Sequence, residues 1–187
     1  MAPRGNRKDI RNAVEAAAKA RGWTNATAHN RAQVLYYLGE NLSVRSREFG
    51  ERLRALTGAS RAQAQLEVDA SVERLFTYAA WADKYDGAVH HTPVRNVTLA
   101  MPEAWGVMAV VCPDEAPLLA LISLVAPALA MGNRVVAVPS SRWPLAATDF
   151  YQVLETSDLP AGVLNIVTGE RDALAAVLAD HDEVACM

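Results

Sequence analysis

The stretch Gly106–Val138 constrains the fold more than any other part of this 187-residue sequence. It contains an apolar run of strand length, a helix-length segment that is apolar on nearly every face, and a second apolar run: Gly106–Cys112, Leu118–Met131 and Arg134–Val138. Strands that are apolar on both faces are typical of the middle of a parallel sheet covered by helices. Such sheets bind ligands beyond the carboxyl ends of their strands. The loops that follow Cys112 and Val138 are therefore the first candidates for a functional site.

The rest of the C-terminal half repeats this alternation of strands and helices. Apolar spacing predicts two further helices and two further strands: Trp143–Glu155 and Asp172–Ala179, then Val163–Val167 and Glu183–Met187. Parallel strands joined by helices imply right-handed crossovers and a doubly wound, Rossmann-like sheet. The sequence therefore predicts the α/β fold class.

The N-terminal half is predicted to be helical. Apolar residues at helical spacing predict a first helix over Lys8–Ala20. Thr27 is placed to cap a second helix, and Ser43 or Ser46 to cap a third helix that ends at Gly58.

A fourth and longest helix is predicted to begin at Ser60 and to reach about Lys84, where Asp86-Gly87 closes it. Its candidate core positions are Leu66, Ala70, Val72, Leu75, Tyr78, Ala79 and Ala80. Its acidic residues are interpreted as solvent-facing charges: Glu67, Asp69 and Glu73.

Alternating apolar and polar residues over Thr92–Met101 predict a half-exposed strand between the two halves. The chain is thus predicted to have three parts. They are N-terminal helices that pack on the sheet, an extended strand, and a partial coenzyme-type sheet: residues 1–91, 92–105 and 106–187.

Composition narrows the class of protein. A net charge of −3 gives no indication of nucleic acid or an anionic membrane as a partner. The two cysteines, Cys112 and Cys186, have no disulfide or zinc-site spacing and favour a reducing cytoplasm. The most apolar segment, Leu118–Met131, is shorter than the about 20 residues that span a bilayer. His90-His91 has no third ligand nearby in sequence, so no metal site is predicted.

Five pieces of the sequence carry a resemblance in their residue types, order and spacing: Tyr78–Lys84, Trp105–Val107, Ala126–Asn133, Val138–Ser140 and Asp158–Gly169. With these pieces the chain resembles the aldehyde dehydrogenase superfamily across nearly its whole length. It is most similar to the second, degenerate unit of the two-unit members. The resemblance implies the family's N-terminal helices and the first part of its coenzyme domain.

The resemblance also implies a chemistry. The family oxidises aldehydes to acids with NAD or NADP, through a cysteine thiolate and a glutamate that both fall beyond Met187. Cys186 falls in the family's fourth coenzyme-domain strand and is expected to be a buried structural thiol. Cys112 lies beside the nicotinamide position and is a candidate accessible thiol, although nothing nearby in sequence lowers its pKa. No catalytic residue is therefore expected in this chain.

The resemblance places eight residues at the coenzyme: Val111, Cys112, Pro113, Val138, Pro139, Ser140, Ser141 and Gly169. Val138 and Ser141 replace the lysine and glutamate with which the family binds the adenosine ribose. Because these charged side chains are missing, NAD or NADP is expected to bind weakly or not at all. Arg171 replaces a family glycine that lets the adenine approach closely. Its guanidinium could instead contact the additional phosphate of NADP, so NADP stays open as the coenzyme.

The family's oxyanion-binding asparagine is replaced by Glu115, and a carboxylate repels developing negative charge where an amide would stabilise it. Asp114 and Glu115 have a simpler interpretation as acids that cap the following helix and complement its dipole.

These features predict a non-catalytic aldehyde dehydrogenase-like module that serves assembly or supports a catalytic unit. Two alternatives stay open: a part of an active NAD(P)-dependent aldehyde dehydrogenase, or an unrelated nucleotide-binding doubly wound domain. Thr92–Met101 matches the family's extension that pairs strands between subunits, and an exposed strand edge favours pairing. We therefore expect a homo-oligomer or docking onto another aldehyde dehydrogenase unit.

Overall fold

In a computed structural model, the protein is described over residues 2–85 and 87–187. These residues form eight helices and six strands. The helices are α1 (Arg7–Lys19), α2 (Gly22–Asn25), α3 (Ala28–Val44), α4 (Ser46–Thr57), α5 (Arg61–Ala82), α6 (Pro117–Ala130), α7 (Leu145–Glu155) and α8 (Arg171–Ala179). The strands are β1 (Ala88–His90), β2 (Thr98–Ala100), β3 (Val107–Val111), β4 (Arg134–Val138), β5 (Leu164–Ile166) and β6 (Val184–Cys186).

The core of the fold is a parallel sheet in the order β5-β4-β3-β6. Its two central strands pair in register, with Val107 opposite Arg134 and Val111 opposite Val138. Every residue of β4 is buried, as the apolar run that follows Arg134 predicts. The predicted α/β fold with a doubly wound parallel sheet is confirmed.

Helices cover both faces of this sheet. On one face, α1 and α8 pack against β3 and β4, in a cluster that includes Ile10, Val14, Val136, Leu174 and Leu178. On the other face lie α6 and α7, with α3 and α5 packed over α6. Because α6 lies between the sheet and α5, it is buried on nearly all sides, which explains why its sequence has almost no polar face.

The N-terminal caps are only partly as predicted. Thr27 caps α3 and Ser60 caps α5, each accepting a hydrogen bond from a backbone N–H in the first turn. Gly58 ends α4 with a φ of +75°, as a glycine readily does. The prediction that Ser43 or Ser46 caps α4 is wrong. This helix follows Arg45 and has no side-chain cap.

The long helix α5 buries a different stripe from the predicted one. Leu75 and Ala79 are buried as expected, but Leu66 is 67% exposed. The buried stripe consists mainly of small residues: Ala64, Val68, Ser71, Leu75, Ala79 and Ala82. Neighbouring helices approach it closely, since a Cβ on Gly39 of α3 would lie 2.9 Å from the Phe76 ring. Asp86, predicted to help close α5, lies outside the described residues.

The connection between the two halves is a hairpin, not one long strand. The strand predicted over Thr92–Met101 is limited to β2, which pairs antiparallel with β1. The hydroxyl of Thr92 donates to the carbonyls of Val94 and Asn96, at 3.0 and 3.4 Å, and folds the intervening residues into a turn. No residue of β1 or β2 is buried.

Candidate functional site at the carboxyl edge of the sheet

Two loops meet at the carboxyl edge of the sheet through the hydroxyl of Ser141. This hydroxyl donates to the carbonyl of Gly169 at 3.2 Å and accepts from the backbone N–H of Arg171 at 3.2 Å. Ser141 follows β4, whereas Gly169 and Arg171 follow β5. Its hydrogen bonds therefore join the two loops to each other.

The carboxylate of Asp114 attaches the loop after β3 to the loop after β4. Its Oδ1 accepts from the hydroxyl of Ser140 at 2.6 Å and from the backbone N–H of Arg142 at 3.2 Å. These hydrogen bonds, the first above all, lower the pKa of Asp114. The prediction that Asp114 or Glu115 caps α6 is wrong, because the carboxylate of Asp114 faces the neighbouring loop and neither side chain caps this helix.

The start of α6 is held instead by Glu67, from the middle of α5. Its Oε1 accepts from the backbone N–H groups of Leu118 and Leu119, at 2.9 and 3.4 Å. Burial raises the pKa of Glu67, and the two backbone hydrogen bonds oppose that rise. Glu67 is half-buried, so its interpretation as a solvent-facing charge is wrong. The sequence gives no local signal for this contact, because its partners lie about 50 residues apart.

The two cysteines exchange their predicted environments. Cys112, a candidate accessible thiol, is fully buried, and burial raises its pKa to about 12. Its backbone N–H donates to the carbonyl of Val138 at 2.9 Å and extends the pairing of β3 with β4, which turns the side chain into the core. Cys186, expected to be buried, is partly exposed because β6 is an edge strand paired with β3 alone in the described sheet.

A cleft of about 430 Å³ opens beside these loops. Ser141, Arg142 and Trp143 line it on one side, and Gly169 lines it on another. The N-terminal arm, which we define as residues 2–5, forms a further wall through its residues 2–4. A guanidinium and an indole of the loop after β4 are stacked, with the Arg142 Cζ 4.9 Å from the centroid of the Trp143 ring.

Gly169 has a packing reason to be glycine. A Cβ at this position would lie 2.7 Å from Cδ1 of Leu174 and 3.2 Å from the carbonyl oxygen of Gly5. Both distances are shorter than ordinary van der Waals contacts. The N-terminal arm and α8 therefore approach the loop after β5 too closely for a larger residue.

This arrangement of helices and sheet, with the loops at its carboxyl edge, can be compared with known proteins. The family model described as "Aldehyde dehydrogenase family" matches residues 1–187. This chain belongs to the aldehyde dehydrogenase family.

Individual aldehyde dehydrogenases support the assignment. Hydroxyisobutyraldehyde dehydrogenase of Mycolicibacterium austroafricanum is 36% identical over 184 residues, which is 97% of this chain and 36% of that protein. The crystal structure of aldehyde dehydrogenase from Brucella melitensis biovar abortus 2308 superposes with a TM-score of 0.94, at 28% identity over 97% of this chain and 38% of that one.

A third comparison involves an aldehyde dehydrogenase structure with a coenzyme bound. Betaine aldehyde dehydrogenase from Staphylococcus aureus, in complex with NAD+, gives a TM-score of 0.92 at 25% identity, over 97% of this chain and 37% of that one. The chain thus spans well under half the length of these relatives.

The eight residues that the resemblance places at the coenzyme have different surroundings in this aldehyde dehydrogenase chain. Ser141 and Gly169 line the cleft, and the hydroxyl of Ser140 is held by Asp114 beside it. Pro113 is exposed and Val111 is half-buried, whereas the remaining three are buried: Cys112, Val138 and Pro139. A coenzyme role for all eight stays a prediction.

Sequence reasoning did not assign a role to the N-terminal arm or to Glu67. The arm has no periodic pattern, and a short peptide that crosses a strand end leaves no spacing signal. Within residues 2–85 and 87–187, no three His, Cys, Asp or Glu side chains are grouped as metal ligands. None of the helices in those same ranges combines the length and apolar character needed to cross a membrane.

Proposed function

We propose that this chain is a non-catalytic aldehyde dehydrogenase module that docks onto a second aldehyde dehydrogenase chain through its β1–β2 hairpin. The observation that carries the proposal is the exposed apolar surface of residues 87–105. Its large apolar side chains are at least 59% exposed: Val89, Val94, Val97, Leu99, Met101 and Trp105. Val89 pairs with Leu99, so these two exposed side chains lie on the same face of the hairpin. Exposed apolar surface of this kind marks sites of protein–protein contact.

The geometry of the hairpin supports docking by strand pairing. β1 and β2 form a two-stranded sheet, so each strand has a second edge that no described strand covers. An isolated two-stranded hairpin is only marginally stable in water, and a further strand would stabilise it. A second aldehyde dehydrogenase chain offers an equivalent edge, which makes a homo-oligomer or a complex with a related chain the proposed assembly.

The carboxyl edge of the sheet supports the lack of catalysis. Cys112 is the cysteine at the end of β3, and a thiol with a pKa of about 12 is not a thiolate at neutral pH. Glu115 stands at the position that the resemblance gives to the oxyanion-binding amide. Losing such a donor slows acyl transfer by a factor of about 10² to 10³. The two free cysteines fit a reducing compartment, and we propose the cytoplasm.

Light scattering after size-exclusion chromatography tests the docking. We expect a dimer or larger species for the natural chain and a shift to monomer for Leu99→Lys. A lysine buried in the interface between the chains makes the free energy of association less favourable by several kcal/mol. Val44→Lys is the matched control, since Val44 is 86% exposed and lies outside the hairpin, at the end of α3. A natural chain that stays monomeric at high concentration, alone and with a related aldehyde dehydrogenase, contradicts the proposal.

The absence of catalysis has a separate test. The chain is mixed with NAD or NADP and a panel of aliphatic and aromatic aldehydes, and the absorbance of the reduced coenzyme is followed. We expect no aldehyde-dependent signal above a heat-denatured sample. Turnover that Cys112→Ser abolishes would contradict the proposal directly.

We also infer weak binding of NAD or NADP in the cleft beside β5. The cleft combines apolar and aromatic side chains, Leu56 and Trp143, with the guanidinium of Arg142, a lining that suits a nucleotide. The side chain of Val138 is buried in the core, and the hydroxyls of Ser140 and Ser141 are engaged within the protein, which leaves few groups for the ribose. When bound, such a coenzyme supplies hydride chemistry.

Isothermal titration calorimetry tests this second proposal. We expect dissociation constants of about 0.1 to 1 mM, equivalent to about −5.5 to −4.1 kcal/mol. Trp143→Ala removes the indole that lines the cleft and should weaken the binding of both coenzymes, with its fold checked by circular dichroism. Flat titrations with both coenzymes at millimolar concentration contradict coenzyme binding and leave the docking proposal intact.

A further inference from the structure

We propose that the N-terminal arm completes the coenzyme cleft and that Arg4 makes this cleft prefer a nucleotide with an additional phosphate, NADP over NAD. The inference rests on the weak coenzyme binding proposed above.

The arm is fixed to the end of β5 by its backbone. The N–H of Gly5 donates to the carbonyl of Thr168 at 2.6 Å, and the hydroxyl of Thr168 donates to the carbonyl of Pro3 at 2.7 Å. A Cβ on Gly5 would lie 2.6 Å from Cγ1 of Val167, so only glycine permits this approach. The side chain of Arg4 takes no part in these contacts, which leaves its guanidinium available while its backbone is held.

Two cations line the cleft without a carboxylate partner. In the part of the chain that the structure describes, neither Arg4 nor Arg142 forms an ion pair within 4.0 Å. Arginine binds phosphate more strongly than most other groups do, through charge-assisted and often bidentate hydrogen bonds. A ligand with a further phosphate therefore gains more from this cleft than one without it.

The two arginines in the lining, Arg4 and Arg142, outnumber its one carboxylate, Glu170. Glu170 lines the cleft, but its two oxygens accept from the backbone N–H groups of Asp172 and Ala173, at 3.4 and 2.8 Å, at the start of α8. Arg171, the phosphate partner suggested by the sequence, has Asp114 and Asp172 within 3.9 and 3.4 Å. Arg171 is thus already compensated, whereas Arg4 is not.

The test compares two small nucleotides that differ by one phosphate. Adenosine 2′,5′-bisphosphate and adenosine 5′-monophosphate are titrated into the natural chain by calorimetry, followed by NADP and NAD. We expect the bisphosphate and NADP to bind about tenfold more tightly than their partners. Arg4→Ala should remove most of this preference without a change in Tm, since the arm is held by its backbone.

Two further variants separate charge from structure. Arg7→Ala is the matched control, because Arg7 is an exposed arginine at the start of α1 that lies outside this cleft. It should keep the full preference. Thr168→Val retains every charge but removes the hydroxyl that holds Pro3, and it should lower the preference because the arm loses one of its two anchors.

Each outcome decides a different claim. Equal affinity for the two nucleotides in the natural chain overturns the role of Arg4 and leaves coenzyme binding intact. Equal losses of preference in Arg4→Ala and Arg7→Ala also overturn it, since the effect would then be one of overall charge. If neither nucleotide binds, the coenzyme proposal fails and the present inference fails with it.

Discussion

The carboxylate of Glu67 accepts a hydrogen bond from the backbone N–H of Leu118, 51 residues further along the chain, at 2.9 Å. This contact joins the middle of α5 to the first turn of α6. The residue before that turn, Ala116, has a φ of +45° and offers no side-chain cap. A non-glycine residue in this region costs about 1 to 2 kcal/mol, so the loop needs support from outside itself. Glu67 supplies that support to the loop after β3.

Removing this long-range cap should destabilise the fold. We expect Glu67→Ala to lower the free energy of unfolding by about 0.5 to 2 kcal/mol, the usual effect of losing a helix cap. Urea denaturation followed by circular dichroism measures it. Glu73→Ala on the same helix is the control, because Glu73 is exposed and surface substitutions change stability by less than about 0.5 kcal/mol. Equal effects of the two substitutions would show that the cap contributes nothing.

The pH dependence of stability should carry the signature of Glu67. Its pKa is raised in the folded protein, so its contribution is fully present below its unfolded pKa of about 4.3 and is lost as pH rises through the folded pKa. Glu67→Gln keeps an acceptor for Leu118 but does not ionise. We therefore expect the Tm of this variant, relative to the natural chain, to increase between pH 4 and pH 7. A constant difference across this range would contradict a raised pKa.

Asp114 should show the opposite pH dependence. Its pKa is lowered in the folded protein, mainly by the hydroxyl of Ser140, so it stabilises the fold above its unfolded pKa of about 3.9. This stabilisation is lost as pH falls through the folded pKa. We expect Asp114→Asn to lower the Tm at pH 7 and to approach the natural chain near pH 3. Its effect should be small, because 35% of the Asp114 side-chain surface is exposed and solvent screens its interactions.

The sequence predicts the sheet well because its signal is local. The residues of β4 that follow Arg134 are apolar without interruption, and the helix before β4 is apolar on nearly every face, since both elements are covered on nearly all sides. The order of helices and strands then leaves few topologies, and the parallel, doubly wound arrangement is one of them. A continuous apolar run thus carries enough information to predict both an element and its position.

The contacts that shape the candidate site are not local, and they could not be predicted. The acids Asp114 and Glu115 have the right chemistry and position to cap α6, yet Glu67 caps it from another helix. Likewise, apolar alternation over Thr92–Met101 is broken by a turn in which Thr92 bonds to Val94. The cap of α6 and the turn after Thr92 depend on which groups tertiary packing brings together. Neither the periodicity of a segment nor its residue types predict those contacts.

The thiol of Cys112 should be unreactive in the native protein. It is fully buried at the end of β3, and its pKa of about 12 keeps it protonated at pH 8. We expect a Cys186→Ser variant, which retains only Cys112, to react with a chromogenic disulfide at least about 100-fold more slowly than it does in denaturant, since reaction then requires transient opening. The reciprocal Cys112→Ser variant retains the partly exposed Cys186 and should react quickly under native conditions. Rapid native labelling of Cys112 would mean that the carboxyl edge of β3 is open to solvent, and the case against a catalytic thiol there would lose its main support.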